Sequence, residues 1–286
     1  MKTRAKAWML LLAVSGSTVA SADGPIRYRS FPAGGGTYHA VIADLRSPRV
    51  EVETYAAKGL RRPSTLIKNS KATVAMTGTF FNTGNGDPIA DVLVDGKLKN
   101  LGGRGSVLGV DWFGNVQVFD TGLNESVNWF DYRYALRGGV RVVRDGVVAP
   151  DPGSQSFRDR AIWQNNPRTG AGVTHDGNLV LIATGAGVTL TQLGNAMKKM
   201  GVVNGVSFDG GSSTCLFYRS KYVLRPGRSL SNLLVLRELS VDDGEWASYN
   251  VRRRHTAPVS TLVTCPTKWP VAAKKPAVVA PVQVVR

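Results

Sequence analysis

The chain has 286 residues, of which 43% are hydrophobic and 20% are charged, and its formal net charge is +16. This composition supplies a hydrophobic core, so it excludes an intrinsically disordered chain and a collagen-like rod. Two cysteines are too few for a disulfide-dense scaffold or for a zinc site built from four cysteines.

The first segment, residues 1–22, predicts a secretory signal peptide. Three basic residues precede an apolar run that ends at Val14, and small residues follow up to Ala20-Ser21-Ala22. The run is shorter than the ~20 residues of a membrane-spanning helix, and the small-residue ending is typical of a cleavage site. We therefore expect a periplasmic or secreted protein that has no transmembrane segment after signal removal.

The next part of the chain, residues 23–250, predicts one β-rich domain. Strands are predicted at residues 38–44, 50–55, 106–111 and 116–119. Three Asp-Gly pairs separate further β-rich runs, and this dipeptide provides the positive φ that tight hairpin turns require. The three pairs are Asp95-Gly96, Asp145-Gly146 and Asp176-Gly177.

Two helices are predicted among these hairpins. Thr189 and Gln192 have the spacing of a capping box, and the apolar residues that follow lie on one helical face up to Gly201, which suits the position after a helix end. A shorter helix is predicted at residues 65–70. Together the elements predict an α+β fold, a single domain of mixed, largely antiparallel sheet with a few packed helices.

The last segment, residues 251–286, is a Pro/Ala/Lys-rich tail with seven basic and no acidic residues. Proline at this density interrupts hydrogen-bonded structure, and the positive charge favours an anionic envelope polymer as a partner. Nucleic acid is not expected, because DNA-binding domains usually concentrate their charge on a folded face. Export would place Cys215 and Cys265 in an oxidising compartment, and both the paired and the free forms remain open.

The most distinctive motif is a turn that follows a β-rich run ending at Asp209. Its other residues are Gly210, Gly211, Ser212, Ser213 and Thr214. Glycines allow close backbone approach to a ligand, and free amides and hydroxyls can bind phosphate oxygens. Taken alone, the same residues also fit a hairpin turn in which Asp209 caps the local backbone.

Two further clusters carry polar groups that suit a sugar phosphate. Residues 77–84 place two aromatic rings beside hydroxyl and amide side chains, and Asp87 and Asp91 follow. In the segment Asn166-Pro167-Arg168-Thr169-Gly170, the arginine could bind a phosphate through two hydrogen bonds. A histidine triad or a metal site of three histidines is not expected, because the chain has only three histidines. No spacing of ligands calls for another metal site, although Asp209 and neighbouring oxygens leave a Ca²⁺ or Mg²⁺ site open.

The order of these motifs between residues 72 and 236 resembles the phosphodiester glycosidase family. The matching segments are TGTFFN, LRGGVRVVRDG, NPRTGAGVTHDGNLVLIATG, the capped helix, VSFDGGSST and RPGRSLSNLLV. The resemblance implies hydrolysis of the bond between the anomeric carbon of a sugar and a phosphodiester, in an envelope or extracellular glycan and without a cofactor.

The resemblance also implies which residues form the site. Asp209 is the expected catalytic carboxylate, and Asp91 is the first choice for a second one, ahead of Asp87. The expected substrate-binding residues are Gly78, Phe81, Asn82, Arg168, Thr169, Gly210, Gly211, Ser212, Ser213, Thr214 and Asn232. A non-catalytic phosphosugar-binding envelope protein is the alternative, because Thr77 and Thr79 depart from the family's usual pattern.

Overall fold

The computed structural model describes residues 24–240, which form mainly antiparallel strands. The strands are β1 Ile26–Ala33, β2 Gly36–Asp44, β3 Val50–Arg61, β4 Val74–Thr77, β5 Val92–Val94, β6 Lys97–Asn100, β7 Ser106–Asp111, β8 Val116–Phe119, β9 Tyr132–Arg144, β10 Val147–Val148, β11 Asn166–Thr174, β12 Asn178–Val188, β13 Val202–Ser207, β14 Leu216–Tyr218, β15 Lys221–Leu224 and β16 Leu230–Glu238. The helices are α1 Pro63–Asn69, α2 Arg160–Trp163 and α3 Leu190–Lys199, with 3₁₀ turns at Trp129–Asp131 and Gly211–Ser213. The predicted signal peptide, the basic tail and Cys265 lie outside the described residues.

The strands form two sheets. The larger sheet has the order β1-β2-β12-β11-β13-β9-β5-β6, with β7 and β10 also paired to β9 and β8 paired to β7. The smaller sheet has the order β15-β14-β4-β16-β3. Neighbouring strands in both sheets run antiparallel. These described elements confirm the predicted α+β fold with its largely antiparallel sheet.

The side-chain alternation of the strands produces a layered core. In β12, Leu179 and Leu181 pack with residues of the smaller sheet, such as Met76 and Leu234. Val180 and Ile182, which alternate with them, pack on the other side of the sheet with the apolar face of α3. On the smaller sheet, α1 covers the outer face in the same way. Because successive strand residues point to opposite faces, one sequence run serves two layers.

The local predictions agree closely with these elements. The Asp95-Gly96, Asp145-Gly146 and Asp176-Gly177 pairs lie at the β5–β6, β9–β10 and β11–β12 turns. The capping box of Thr189 and Gln192 is present at the start of α3. The strand predicted at residues 50–55 continues to Arg61, and the short α2 was not predicted.

Candidate active site

Asp209 lies directly after β13, where the two sheets meet. Its backbone amide donates to the carbonyl oxygen of Gly78, which follows β4 of the smaller sheet, at 3.1 Å. Its carbonyl oxygen accepts from the hydroxyl of Thr169 on β11 of the larger sheet at 2.7 Å. The position of Asp209 is therefore fixed by backbone contacts to both sheets.

The turn after Asp209 is tightly packed against the start of β11. A Cβ atom at Gly210 would lie 2.4 Å from the carbonyl oxygen of Pro167, so this position accommodates only glycine without a backbone shift. Gly211 has a φ of +57° and faces open space. The chain then forms the 3₁₀ turn Gly211–Ser213, which brings the Ser213 hydroxyl to the Asp209 carboxylate.

Hydrogen bonds from two other segments, at Thr77 and at Gly227, hold this turn in place. The hydroxyl of Thr77 donates to the carbonyl oxygen of Ser213 at 2.5 Å and accepts from the amide of Cys215 at 3.0 Å. The amide of Gly227 donates to the carbonyl oxygen of Ser212 at 2.8 Å. The second contact links the turn to the segment that carries Arg228, just before β16.

The environment of Asp209 favours its protonated form. Burial raises the pKa of this carboxyl from its ordinary value of 3.8 to about 6. Hydrogen bonds from Ser213 and from the Gly210 amide oppose the rise in pKa, as does the positive charge of Arg228, whereas the negative charge of Asp159 adds to it. The raised pKa means that part of the Asp209 population still holds its proton near neutral pH.

Buried polar atoms without a hydrogen-bond partner are concentrated around Asp209. Within residues 24–240 there are four such side-chain atoms, and three of them are Thr79 Oγ1, Thr214 Oγ1 and Asn232 Oδ1. Asn232 is fully buried, and its Nδ2 donates to the carbonyl oxygen of Thr79 at 3.1 Å. Its Oδ1 packs so closely on Gly78 that a Cβ there would lie 2.1 Å away. An unpaired buried polar atom costs about 1–3 kcal/mol, so each of these atoms calls for a partner such as a water, an ion or a bound substrate.

Several predicted site residues are therefore gathered around Asp209. Backbone or side-chain contacts join it, directly or through one neighbour, to Gly78, Thr169, Gly210, Gly211, Ser212, Ser213, Thr214 and Asn232. Their roles in substrate binding remain predictions.

Asp91, by contrast, is part of a buried ion pair with Arg137. It is 1% exposed, and its Oδ2 lies 3.2 Å from Nη1 of Arg137. Its Oδ1 accepts from the amide of Gly102 at 2.7 Å. Both carboxylate oxygens therefore have partners in the described residues, so Asp91 holds Gly102 and Arg137 together, and its catalytic role stays a prediction.

The segment after Gly78 also diverges from the predicted site. Phe81 is buried in the core beneath α1, together with Leu66 and Cys215. Asn82 is exposed, and its Oδ1 accepts from the amide of Gly84 in a local turn. Asp87 makes a similar local contact with Asn85. None of these side chains contacts the Asp209 turn in the hydrogen bonds of the described residues.

Arg168 points away from Asp209 although its backbone lies beside Gly210. Its guanidinium is buried and donates to the carbonyl oxygens of Val188, Ala161, Ile162 and Gln164. These contacts tie the end of α2 to the larger sheet. Burial lowers the pKa of Arg168. The phosphate contact predicted for this side chain stays a prediction.

Two charged residues near Asp209 were not singled out from the sequence. Arg228 is exposed and makes no hydrogen bond or ion pair within residues 24–240, but its charge acts on Asp209. Its sequence signal was its place in the RPGRSLSN motif. Asp159 is exposed on the connection before β11. No sequence signal marked it, because it approaches Asp209 only through the tertiary fold.

The described residues show neither a metal cluster nor a membrane helix. In residues 24–240, no group of three or more His, Cys, Asp or Glu side chains is placed to hold a metal ion. None of the helices in this range is long and apolar enough to cross a bilayer. Cys215 is buried, and burial raises the pKa of its thiol to about 12.

Comparisons with known proteins agree with this arrangement. A model of the phosphodiester glycosidase family matches residues 70–237. No curated protein matches the chain. The zebrafish N-acetylglucosamine-1-phosphodiester α-N-acetylglucosaminidase catalytic domain, auto-inhibited by its pro-peptide, is 20% identical with a TM-score of 0.57. That alignment covers 76% of this chain and 85% of the zebrafish domain.

A hypothetical protein from Synechocystis is also similar in structure, with 16% identity and a TM-score of 0.57. The alignment covers 74% of this chain but only 61% of the Synechocystis protein. At these identities the two structures show a shared fold.

The family match indicates that the class of the protein is a glycosidase. The chain belongs to the phosphodiester glycosidase family, since the family model covers more than half of it.

Proposed function

We propose that this protein hydrolyses the glycosidic bond between the anomeric carbon of a sugar and a phosphodiester in an envelope or extracellular glycan. The observation that carries the proposal is the Asp209 turn. It combines a partly buried carboxyl of raised pKa with hydroxyl groups, a glycine turn and the cation Arg228. Family membership supports the reaction class, and the predicted signal peptide supports the location.

In this mechanism Asp209 is the proton donor. Its pKa of about 6 keeps part of the population protonated near neutral pH, as glycosidase acids require. Water attacks the anomeric carbon, the carbon–oxygen bond breaks, and the bonding electron pair leaves with the phosphate. Asp209 transfers its proton to the departing phosphate oxygen. Asp209 later takes up a new proton from solvent.

Arg228 is the residue that we expect to stabilise the phosphate charge. Arg168 already donates to four backbone carbonyls, whereas Arg228 has no hydrogen bond or ion pair in the described part of the chain. Its segment is linked to the turn through Gly227 and Ser212. A free cation beside a developing negative charge lowers the energy of the transition state.

The test is incubation of the purified protein with a panel of sugar-1-phosphodiesters, with NMR detection of the products. We expect free sugar and a phosphomonoester from the wild type, and loss of turnover in Asp209→Asn. Asp176→Asn, in the distant β11–β12 turn, is the matched control and should keep wild-type turnover. Release of a sugar phosphate would place the cleavage at the other ester bond of the phosphodiester, between the phosphate and the aglycone, and contradict the proposal. Saturable binding without any turnover would favour the phosphosugar-binding alternative.

A further inference from the structure

The proposed mechanism leaves open which group accepts the proton of the attacking water. The sequence-based candidate, Asp91, is buried in its ion pair with Arg137. A second carboxylate is a regular feature of glycosidases, in which one carboxyl acts as acid and the other as base or nucleophile. The structure places one other carboxylate whose negative charge acts on Asp209, namely Asp159, and its effect on the pKa is the smallest of those that act there.

The connection that carries Asp159 is anchored beside Asp209 at both ends. Before Asp159, the ring of Phe157 is buried and packs on Phe80 with the ring centroids 5.7 Å apart. Phe80 follows Gly78, which binds the Asp209 amide, by two residues. After Asp159, the carbonyl oxygen of Pro167 packs on the Cα of Gly210. The connection therefore spans the site between two segments that touch Asp209.

Arg168 fixes the part of the connection between these anchors. Its guanidinium donates to the carbonyl oxygens at the C-terminal end of α2, including that of Ile162 at 2.9 Å. Asp159 caps the other end of this four-residue helix, where its Oδ1 accepts from the Ala161 amide at 2.9 Å. Only Oδ1 is used in this contact, so Oδ2 has no hydrogen-bond partner in the described residues.

We propose, resting on the function above, that Asp159 is the second catalytic carboxylate and accepts the proton of the attacking water while Asp209 protonates the leaving phosphate. The proton lost by water moves to the Asp159 carboxylate, and the electron pair of the broken bond leaves with the phosphate. The exposed position of Asp159 suits this role, because water can reach its Oδ2 from the solvent. One carboxyl is thus partly buried with a raised pKa, and the other is exposed, and two carboxyls in different environments are what acid–base catalysis uses.

The charged groups that face Asp209 can be assigned to their elements. Arg228 approaches from the segment before β16 and Asp159 from the start of α2, whereas the turn contributes the neutral hydroxyl of Ser213. From β11, Thr169 contributes a hydroxyl, and Arg168 directs its charge to the α2 carbonyls. Removing the Asp159 charge should therefore lower the pKa of Asp209.

The first measurement is a ¹³C NMR titration of the Asp209 carboxyl carbon, assigned by its absence in Asp209→Asn. In Asp159→Asn, which keeps a side-chain oxygen for the helix cap, we expect the titration midpoint to move to lower pH. Asp151→Asn is the matched control, since Asp151 is also exposed and also accepts a local amide bond, from Ser154. An unchanged midpoint in Asp159→Asn would overturn the pairing of the two carboxylates, whether or not the protein turns over any substrate.

The second measurement is kcat on a sugar-1-phosphodiester that the wild type hydrolyses. We expect Asp159→Asn to lose about 10²-fold or more, the size of a typical general-base contribution, whereas Asp159→Glu should keep part of the activity. A wild-type kcat in Asp159→Asn would overturn the catalytic role even if the Asp209 midpoint moves. Absence of turnover in the wild type would instead contradict the proposed function, and the titration would still decide whether Asp159 faces Asp209.

Discussion

Replacing Asp209 with asparagine should stabilise the protein at neutral and alkaline pH while it abolishes catalysis. Burial raises the pKa of Asp209 from 3.8 to about 6. A carboxyl whose pKa is higher in the folded state than in the unfolded state binds its proton more tightly in the folded state. Protonation of Asp209 therefore stabilises the fold, and this contribution to the free energy of unfolding is complete below pH 3.8. That contribution is lost as the pH rises through about 6, where the folded protein must ionise a partly buried group.

The magnitude follows from the difference between the two pKa values. This difference is about 2.2, which at 1.36 kcal/mol for each pKa unit corresponds to about 3 kcal/mol. Asparagine keeps an oxygen that can accept from the Gly210 amide and avoids the cost of ionisation. We therefore expect Asp209→Asn to raise the free energy of unfolding by about 3 kcal/mol at pH 8 and to leave it nearly unchanged near pH 3.5.

Urea unfolding of the wild type and of Asp209→Asn at several pH values between these limits would measure the difference. Comparison at each pH cancels the titration of all other groups, and Asp176→Asn controls for the general loss of one negative charge. An equal gain at both pH limits would refute the reasoning, because it would separate the stabilisation from the ionisation of Asp209. A destabilised Asp209→Asn at pH 8 would refute it as well.

Three further predictions test the remaining assignments. Gly210→Ala should destabilise the protein by about 1–3 kcal/mol, because its Cβ would overlap the Pro167 carbonyl oxygen; thermal unfolding measures this cost, and an unperturbed Tm would contradict it. Asp91→Asn should lower the free energy of unfolding by about 3–5 kcal/mol, because it leaves Arg137 buried without its charged partner. The folded variant should keep wild-type turnover. Loss of turnover in well-folded protein would instead place Asp91 in the active site. Arg228→Met should raise KM or lower kcat for a phosphodiester without changing the Tm. Arg168→Met should instead lower the Tm, since it removes the contacts to the α2 carbonyls. The opposite pattern would indicate that Arg168 makes the phosphate contact.

The sequence by itself determined the features that depend on neighbouring residues. An Asp-Gly pair determines the position of its hairpin turn without help from distant residues. Two consecutive positive φ values occur readily only in such residues, as at Asp95 and Gly96. The capping box of Thr189 and Gln192 fixed the start of α3 for a similar reason, since both partners lie within one helical turn. The ordered motifs also identified the family and selected Asp209.

Only the tertiary structure decided what each charged side chain does. Asp91 follows the aromatic cluster in the sequence, but its carboxylate binds Arg137, which lies 46 residues further along the chain. Arg168 directly precedes Thr169, yet the two side chains point to opposite sides of β11, one to α2 and the other to Asp209. The charge of Asp159 acts on Asp209 across the fold, and contacts of Phe157, Arg168 and Pro167 anchor the connection that carries it. These contacts join residues far apart in sequence, so no local spacing encodes them, and sheet packing alone brings them together.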